Sequence, residues 1–252
     1  MGRFDGYLIC SDIDGTLSWG GVVPEENVAA LSYFLAEGGR FTFATGRAPE
    51  YRHKLPLPIN APMISENGAR ITDPLSHRPL WTFPLDGCGL LLEWLDRSSC
   101  PKVGLHFQDE QTVVLPGKVA ETVLSHTTGD LLKIVCFDFA DEGQAVSFQQ
   151  SAIDCFGARY QVFRSWSVGV EFVSPLGGKG NCMDFLREIC EDVHTVVGMG
   201  DYENDISLLQ RADRSFAPSN ACSGALAAAQ RVVCSCEKGA LAEVIRILDA
   251  EL

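Results

Sequence analysis

The chain has 252 residues, 46% of them hydrophobic, and a formal net charge of −13 at pH 7. That is room for one large domain or two smaller ones around a well-filled core, and the charge argues against nucleic acid, where affinity rests on neutralising phosphates. No apolar run approaches the length of a membrane span. No signal-peptide segment precedes the first strand, and position 6 is Gly rather than the Ser or Thr of a myristoylation signal, so a soluble, cytoplasmic protein is expected.

In chain order, the apolar run Tyr7–Ser11 reads as a short buried strand. Pro24–Glu37 reads as a helix, with Pro in its first turn, Glu25 and Glu26 at its positive end and Gly38-Gly39 stopping it. Strands are expected over Arg40–Ala44 and Pro62–Ser65. This alternation is the βαβ pattern of a parallel sheet.

The middle of the chain has a different pattern. Helices are expected over Leu90–Leu95, Lys118–His126 and Ala145–Cys155. Strands are expected over Lys102–Phe107 and Thr112–Leu115, forming a hairpin around Asp109-Glu110, and over Leu131–Phe137, Arg159–Arg164 and Val168–Val173. Strands without a crossover helix between each indicate an antiparallel α+β unit.

Beyond it the alternation resumes. Helices are expected over Lys179–Cys190, Tyr202–Arg211 and Gly239–Leu248, with strands at His194–Met199 and Ser215–Ala217. The expected architecture is a Rossmann-like α/β core, residues 1–83 and 174–252, split by an inserted module at 84–173. The ten cysteines form no C-x-x-C pair, and most lie inside apolar patterns, so they are read as reduced thiols.

Four motifs carry chemistry. Asp12-Ile13-Asp14-Gly15-Thr16 ends the first strand, Thr45-Gly46-Arg47 follows the second, Lys179 sits among glycines at a helix start, and Gly200-Asp201-Tyr202-Glu203-Asn204-Asp205 follows Val196–Met199. Three of the four lie past the C-terminal end of a parallel strand, where open α/β sheets bind ligands. If a helix begins at Asp201, then Asp201, Asn204 and Asp205 share one face of its first turn. Clustered acids suit Mg²⁺, a hard cation taking oxygen ligands. Thr45, backbone N–H groups and Lys179 suit phosphate oxygens. A carboxylate approaching a phosphate meets repulsion of about 4 kcal/mol per pair of unit charges at 4 Å and effective dielectric 20. A divalent cation together with Lys179 is a remedy of the right size.

With these residues in this order, the chain resembles the haloacid dehalogenase superfamily of aspartate-nucleophile phosphatases. Gly200–Asp205 is close to the form of its Cof-type branch, and Ser65-Glu66-Asn67-Gly68-Ala69 resembles a segment which that branch carries after its third core strand. The insert falls where the family places a type II cap, and its hairpin-rich pattern resembles the C2B version. The resemblance implies Asp12 as nucleophile and Asp14 as proton donor and then base. It implies Thr45, Gly46, Lys179 and Asn204 as phosphate-binding residues, with Arg47 and Asp205 supporting. Mg²⁺ would be held by the Asp12 carboxylate, the Asp14 backbone carbonyl and Asp201, leaving the Asp14 side chain free to move protons.

Taken singly, each motif has a plainer reading: capping acids, a Thr-Gly turn, a solvated lysine, an acidic helix start, an Asn-Gly hairpin turn. Their joint occurrence favours chemistry. In the insert, His106, Arg164, Trp166 and Glu171 read as ordinary sheet residues. The function expected is hydrolysis of small phosphorylated metabolites, sugar phosphates above all. A sugar phosphomutase is the alternative, disfavoured because Lys102, Lys118, Lys133, Arg159 and Arg164 are scattered rather than clustered as an anion clamp. A non-catalytic phosphate-binding module ranks last, because Asp12 and Asp14 are both present. The physiological substrate and the oligomeric state are not legible in the sequence.

Overall fold

The structure is a computed structural model and describes residues 2–252. In chain order it contains β1 (Tyr7–Ser11), α1 (Glu25–Ala36), β2 (Arg40–Phe43), β3 (Met63–Ser65), β4 (Arg70–Thr72) and β5 (Pro79–Thr82). There follow α2 (Gly89–Asp96), β6 (Lys102–Phe107), β7 (Gln111–Val114), α3 (Val119–Ser125), β8 (Leu131–Phe137), α4 (Glu142–Phe156), β9 (Gln161–Trp166) and β10 (Gly169–Val173). The chain ends with α5 (Lys179–Ile189), β11 (Thr195–Met199), α6 (Ile206–Arg211), β12 (Arg214–Pro218), α7 (Ser223–Ala228), β13 (Arg231–Val233) and α8 (Ala240–Glu251). Two compact units result, one of residues up to Trp81 and from Lys179 onward, the other Thr82–Gly178.

The first unit is built on a parallel sheet in the order β13-β12-β11-β1-β2. β1 is an interior strand, paired with β11 on one side and β2 on the other, and Leu8, Ile9 and Cys10 are fully buried, as a strand covered on both faces requires. Phe41, Phe43, Val197, Met199 and Phe216 from the sheet pack with Leu31 and Phe34 of α1 and Leu241, Val244 and Ile245 of α8. Asn27 is the polar stitch in this core. Buried on α1, it donates to the Leu17 carbonyl at 3.2 Å and accepts from the Ala242 N–H of α8 at 3.0 Å.

The second unit is an antiparallel sheet, β7-β6-β8-β10-β9. Alternate residues Val103, Leu105, Ile134, Cys136, Val170 and Phe172 join Leu91, Leu92, Leu95, Val119, Phe148 and Ala152 of α2, α3 and α4 in one core. Intervening positions hold a buried ion pair, Lys133 to Glu171 at 2.9 Å.

Several elements differ from the sequence reading. Tyr202–Arg211 is not one helix: a 3-10 turn at Glu203–Asp205 precedes α6, because Asp205 bonds back to the backbone of Asp201 and Tyr202. β13 extends the sheet edge beyond the expected last strand, reached from β12 through α7, and β4 with β5 forms a small sheet on β3. Asn67-Gly68 lies in a tight antiparallel connection from β3 to β4, as a turn signal predicts. All ten cysteines are free, though Cys155 is exposed and Cys88, Cys222 and Cys234 are only partly buried. Among the described residues no helix is long and apolar enough to cross a membrane.

Asn27→Ala leaves the Ala242 N–H and the Leu17 carbonyl buried without their partner, a loss of about 1–3 kcal/mol per group. Urea unfolding should show a lower midpoint at unchanged slope; an unaltered midpoint would dismiss the stitch as unimportant.

Candidate active site

The candidate residues stand at the C-terminal ends of three adjacent strands. Asp12 follows β1, Thr45 follows β2 after one residue, and Asp201 follows β11. The Asp12 N–H donates to the Met199 carbonyl at 2.9 Å, and the Ala44 N–H to the Ser11 carbonyl at 2.8 Å, so the sheet's hydrogen bonding runs up to the site.

At the centre is the ammonium of Lys179, which has no exposed surface. It donates to Asp12 Oδ1 at 2.6 Å and to Asp205 Oδ1 at 2.5 Å. The other oxygen of Asp205, Oδ2, accepts from the Asp201 N–H at 3.0 Å and the Tyr202 N–H at 3.1 Å. Thr16 Oγ1 donates to Asp201 Oδ1 at 2.8 Å. Gly15, at φ +84°, lies so close that a Cβ there would sit 2.4 Å from Asp201 Oδ2, so both conformation and space demand glycine.

Asp12, Asp201 and Asp205 each offer an oxygen within 4.8 Å of the others. When all are ionised, three carboxylates face one ammonium, leaving two negative charges uncompensated in a buried site. Burial raises the Asp12 carboxyl well above its ordinary range; Lys179 opposes this, while Asp205 and Asp201 add to it. Burial and then the Asp205 charge push Asp201 up to about 7. Burial works to lower Lys179, but Asp12 and Asp205 outweigh it and hold the ammonium above its ordinary range. A cluster that favours protons so strongly is suited to a hard divalent cation in their place. Asp205 already has both oxygens engaged, so Asp12 and Asp201 are the side chains fitted to hold such an ion.

Asp14 has a partner that the sequence does not announce. Its side chain is not free: Arg47 grips it through Nε at 2.9 Å and Nη2 at 3.2 Å. Asp205 stands in direct contact with Lys179. Asn204 reaches the side chain of Asn67, Nδ2 to Oδ1 at 2.9 Å. Thr45 is buried, its Oγ1 accepting from the Arg47 N–H at 3.1 Å, and Gly46 packs under Asn67, where a Cβ would meet Nδ2 at 2.9 Å.

Three residues of the site were not assigned from sequence. Thr16 and Asn67 lay inside the quoted motifs. Asn220 donates to the Gly15 carbonyl at 2.8 Å and accepts from the Cys236 N–H at 2.8 Å. Its position two residues past β12, at the same sheet edge, was the available signal. Cys10 is fully buried, and burial pushes its thiol up to about 12.

The sequence profile of the haloacid dehalogenase-like hydrolases matches residues 9–116 and 106–245. A haloacid dehalogenase-like hydrolase from B. subtilis superposes with TM-score 0.81 at 21% identity, covering 95% of this chain and 98% of that one. A HAD/COF-like hydrolase from Plasmodium vivax gives TM-score 0.81 at 20% identity, covering 100% and 97%. A sugar phosphatase of HAD subclass IIB gives 0.77 at 15% identity, covering 96% and 98%. No curated protein matches.

The shifted Asp201 carboxyl sets the direction of a pH effect. A carboxyl raised in the folded state stabilises fully below its unfolded pKa of about 4, and that contribution is lost as pH rises towards about 7. A divalent cation competes with this proton. Melting of chelator-treated protein should therefore show a larger rise on adding Mg²⁺ at about pH 8 than at about pH 5. Equal shifts at both would contradict the cluster's role.

Proposed function

The chain belongs to the haloacid dehalogenase-like hydrolase family, and from that membership we propose a phosphatase that passes through an aspartyl-phosphate, with Mg²⁺ as its metal and a small phosphorylated metabolite, a sugar phosphate, as its substrate. The observation that carries the reading is the buried Lys179 ammonium lying between Asp12 and Asp205, with Asp201 in the same acid cluster at the strand ends.

Asp12 supplies the attacking oxygen. Its carboxylate forms an O–P bond as the bond from phosphorus to the leaving oxygen breaks. Lys179, fixed by its second bond to Asp205, holds Asp12 in one rotamer and offsets the repulsion between carboxylate and phosphate. Thr45 and the backbone around Gly46 are assigned to the phosphoryl oxygens, and Asn67 orients Asn204 at their edge. Asp14 delivers a proton to the leaving oxygen. It later takes one from the water that attacks phosphorus and frees Asp12. Arg47 must first loosen its hold for Asp14 to carry a proton. The Asp12 and Asp201 side chains and the Asp14 carbonyl would hold Mg²⁺, which when bound supplies charge stabilisation for the phosphoryl oxygens.

The inserted unit is proposed to be a C2B-type cap that selects the substrate. Four of the five cations named from the sequence support hydrolysis over mutase chemistry. Lys102 pairs with Asp138, Lys118 with Glu121, Lys133 with Glu171 and Arg164 with Glu142, at 2.7–2.9 Å. Cations so engaged make a poor clamp for a second phosphate.

Purified protein should release phosphate from an aryl phosphate in the presence of Mg²⁺, and Asp12→Asn should reduce this to background; full activity in that variant ends the proposal. Acid quenching with labelled substrate separates the two acids. Asp12→Ala should trap no phosphoenzyme, whereas Asp14→Ala should form or clear it about 10²–10⁴-fold more slowly.

A further inference from the structure

Beside the acid cluster the first unit holds a cleft of about 640 Å³, lined by Asp14, Ser18, Trp19, Arg47 and Tyr51 among others. One wall leaves directly from the Asp12–Thr16 motif. Asp14 and Ser18 form a short bridge, and Trp19 and Val22 exchange both backbone hydrogen bonds at 3.0 Å. These bonds close a two-residue hairpin turn over Gly20 and Gly21, at φ +57° and +82°, the paired positive values of a primed turn. The turn fixes the backbone of Trp19 while leaving the residue 56% exposed. Elsewhere in the lining, the Arg47 guanidinium lies 4.7 Å from the Tyr51 ring centroid and spends two of its N–H groups on Asp14.

We propose that this cleft is the leaving-group subsite, with Trp19 as the platform for a ring-shaped leaving group rich in C–H bonds, a pyranose or furanose, and Arg47 as donor to its oxygens. The inference rests on the phosphatase reading above. A residue that protonates the leaving oxygen must lie within hydrogen-bond reach of it. The leaving group therefore begins at Asp14, and Asp14 lines this cleft. Trp19 and the Arg47 guanidinium, itself stacked on Tyr51, line one cleft, and an aromatic surface and N–H donors in one lining match a sugar, which has an apolar C–H face and hydroxyls at its rim.

The experiment compares steady-state kinetics on a hexopyranose 6-phosphate and on glycerol phosphate, with inorganic phosphate as inhibitor. Trp19→Ala should lower the ratio of kcat/KM for the ring ester over the glycerol ester about three- to tenfold, through KM. Trp19→Phe should retain most of the ratio, and the inhibition constant of inorganic phosphate should stay the same in both. Active wild-type protein whose ratio is unchanged by Trp19→Ala overturns the subsite alone. A weaker phosphate inhibition that accompanies equal losses on both esters also overturns it, since the change then acts on the phosphoryl site. Wild-type protein that hydrolyses neither ester overturns the phosphatase reading and the subsite with it.

Discussion

The site is organised by one interaction: an ammonium with no exposed surface, held between two carboxylates. Taking Lys179 out of water is costly, and only close oppositely charged partners offset that cost. Asp12 and Asp205 do so, and in return they lose their freedom to move. Asp205 passes the constraint on, because its second oxygen ties the N–H groups of Asp201 and Tyr202. The charge balance thereby sets the shape of the loop that carries Asp201. Charges fixed in this way before substrate arrives leave Asp12 and Lys179 little to reorganise during the reaction; the rearrangement that remains is the release of Asp14 by Arg47.

Two carboxylates in one tripeptide receive opposite surroundings. Asp12 is buried against an ammonium among other acids, whereas Asp14 is exposed and gripped by an arginine. Environment rather than residue type separates their proposed roles. Backbone strain contributes elsewhere. Glu66, Asn67 and Gly68 all have positive φ, at 52°, 57° and 85°, the first two without the excuse of being glycine. That run places the Asn67 side chain against Gly46 and Asn204, tying the segment after β3 to those after β2 and β11. Strained backbone at such a junction is maintained by the surrounding structure.

The sequence exposed the strand ends and the acids because both follow local rules. Buried parallel strands are short continuous apolar runs, and an acid stranded at such an end has no structural purpose to absorb it. Pairings between distant segments follow no local rule. Nothing at Arg47 announces that its guanidinium turns to Asp14, and nothing at Asn27 announces its bonds to Leu17 and Ala242. The 3-10 turn at Glu203–Asp205 was missed for a related reason: helix periodicity reads through it, and only the Asp205 carboxylate bending back to Asp201 and Tyr202 reveals the break. β4, β5 and β13 were missed because strands of three or four residues carry too little periodicity to stand out.

The bond from Lys179 to Asp12 joins residues 167 apart in the chain, and the interior strand β1 takes one of its two neighbours, β11, from sequence that comes after the whole second unit. During synthesis the second unit is complete while β1 still lacks that neighbour and presents an open hydrogen-bonding edge. Asp12 leaves the ribosome early and acquires its counter-ion late. The first unit therefore closes last, in a slow, non-local step, and a chain stalled before Lys179 carries a finished insert on an unfinished sheet that is prone to associate with its neighbours.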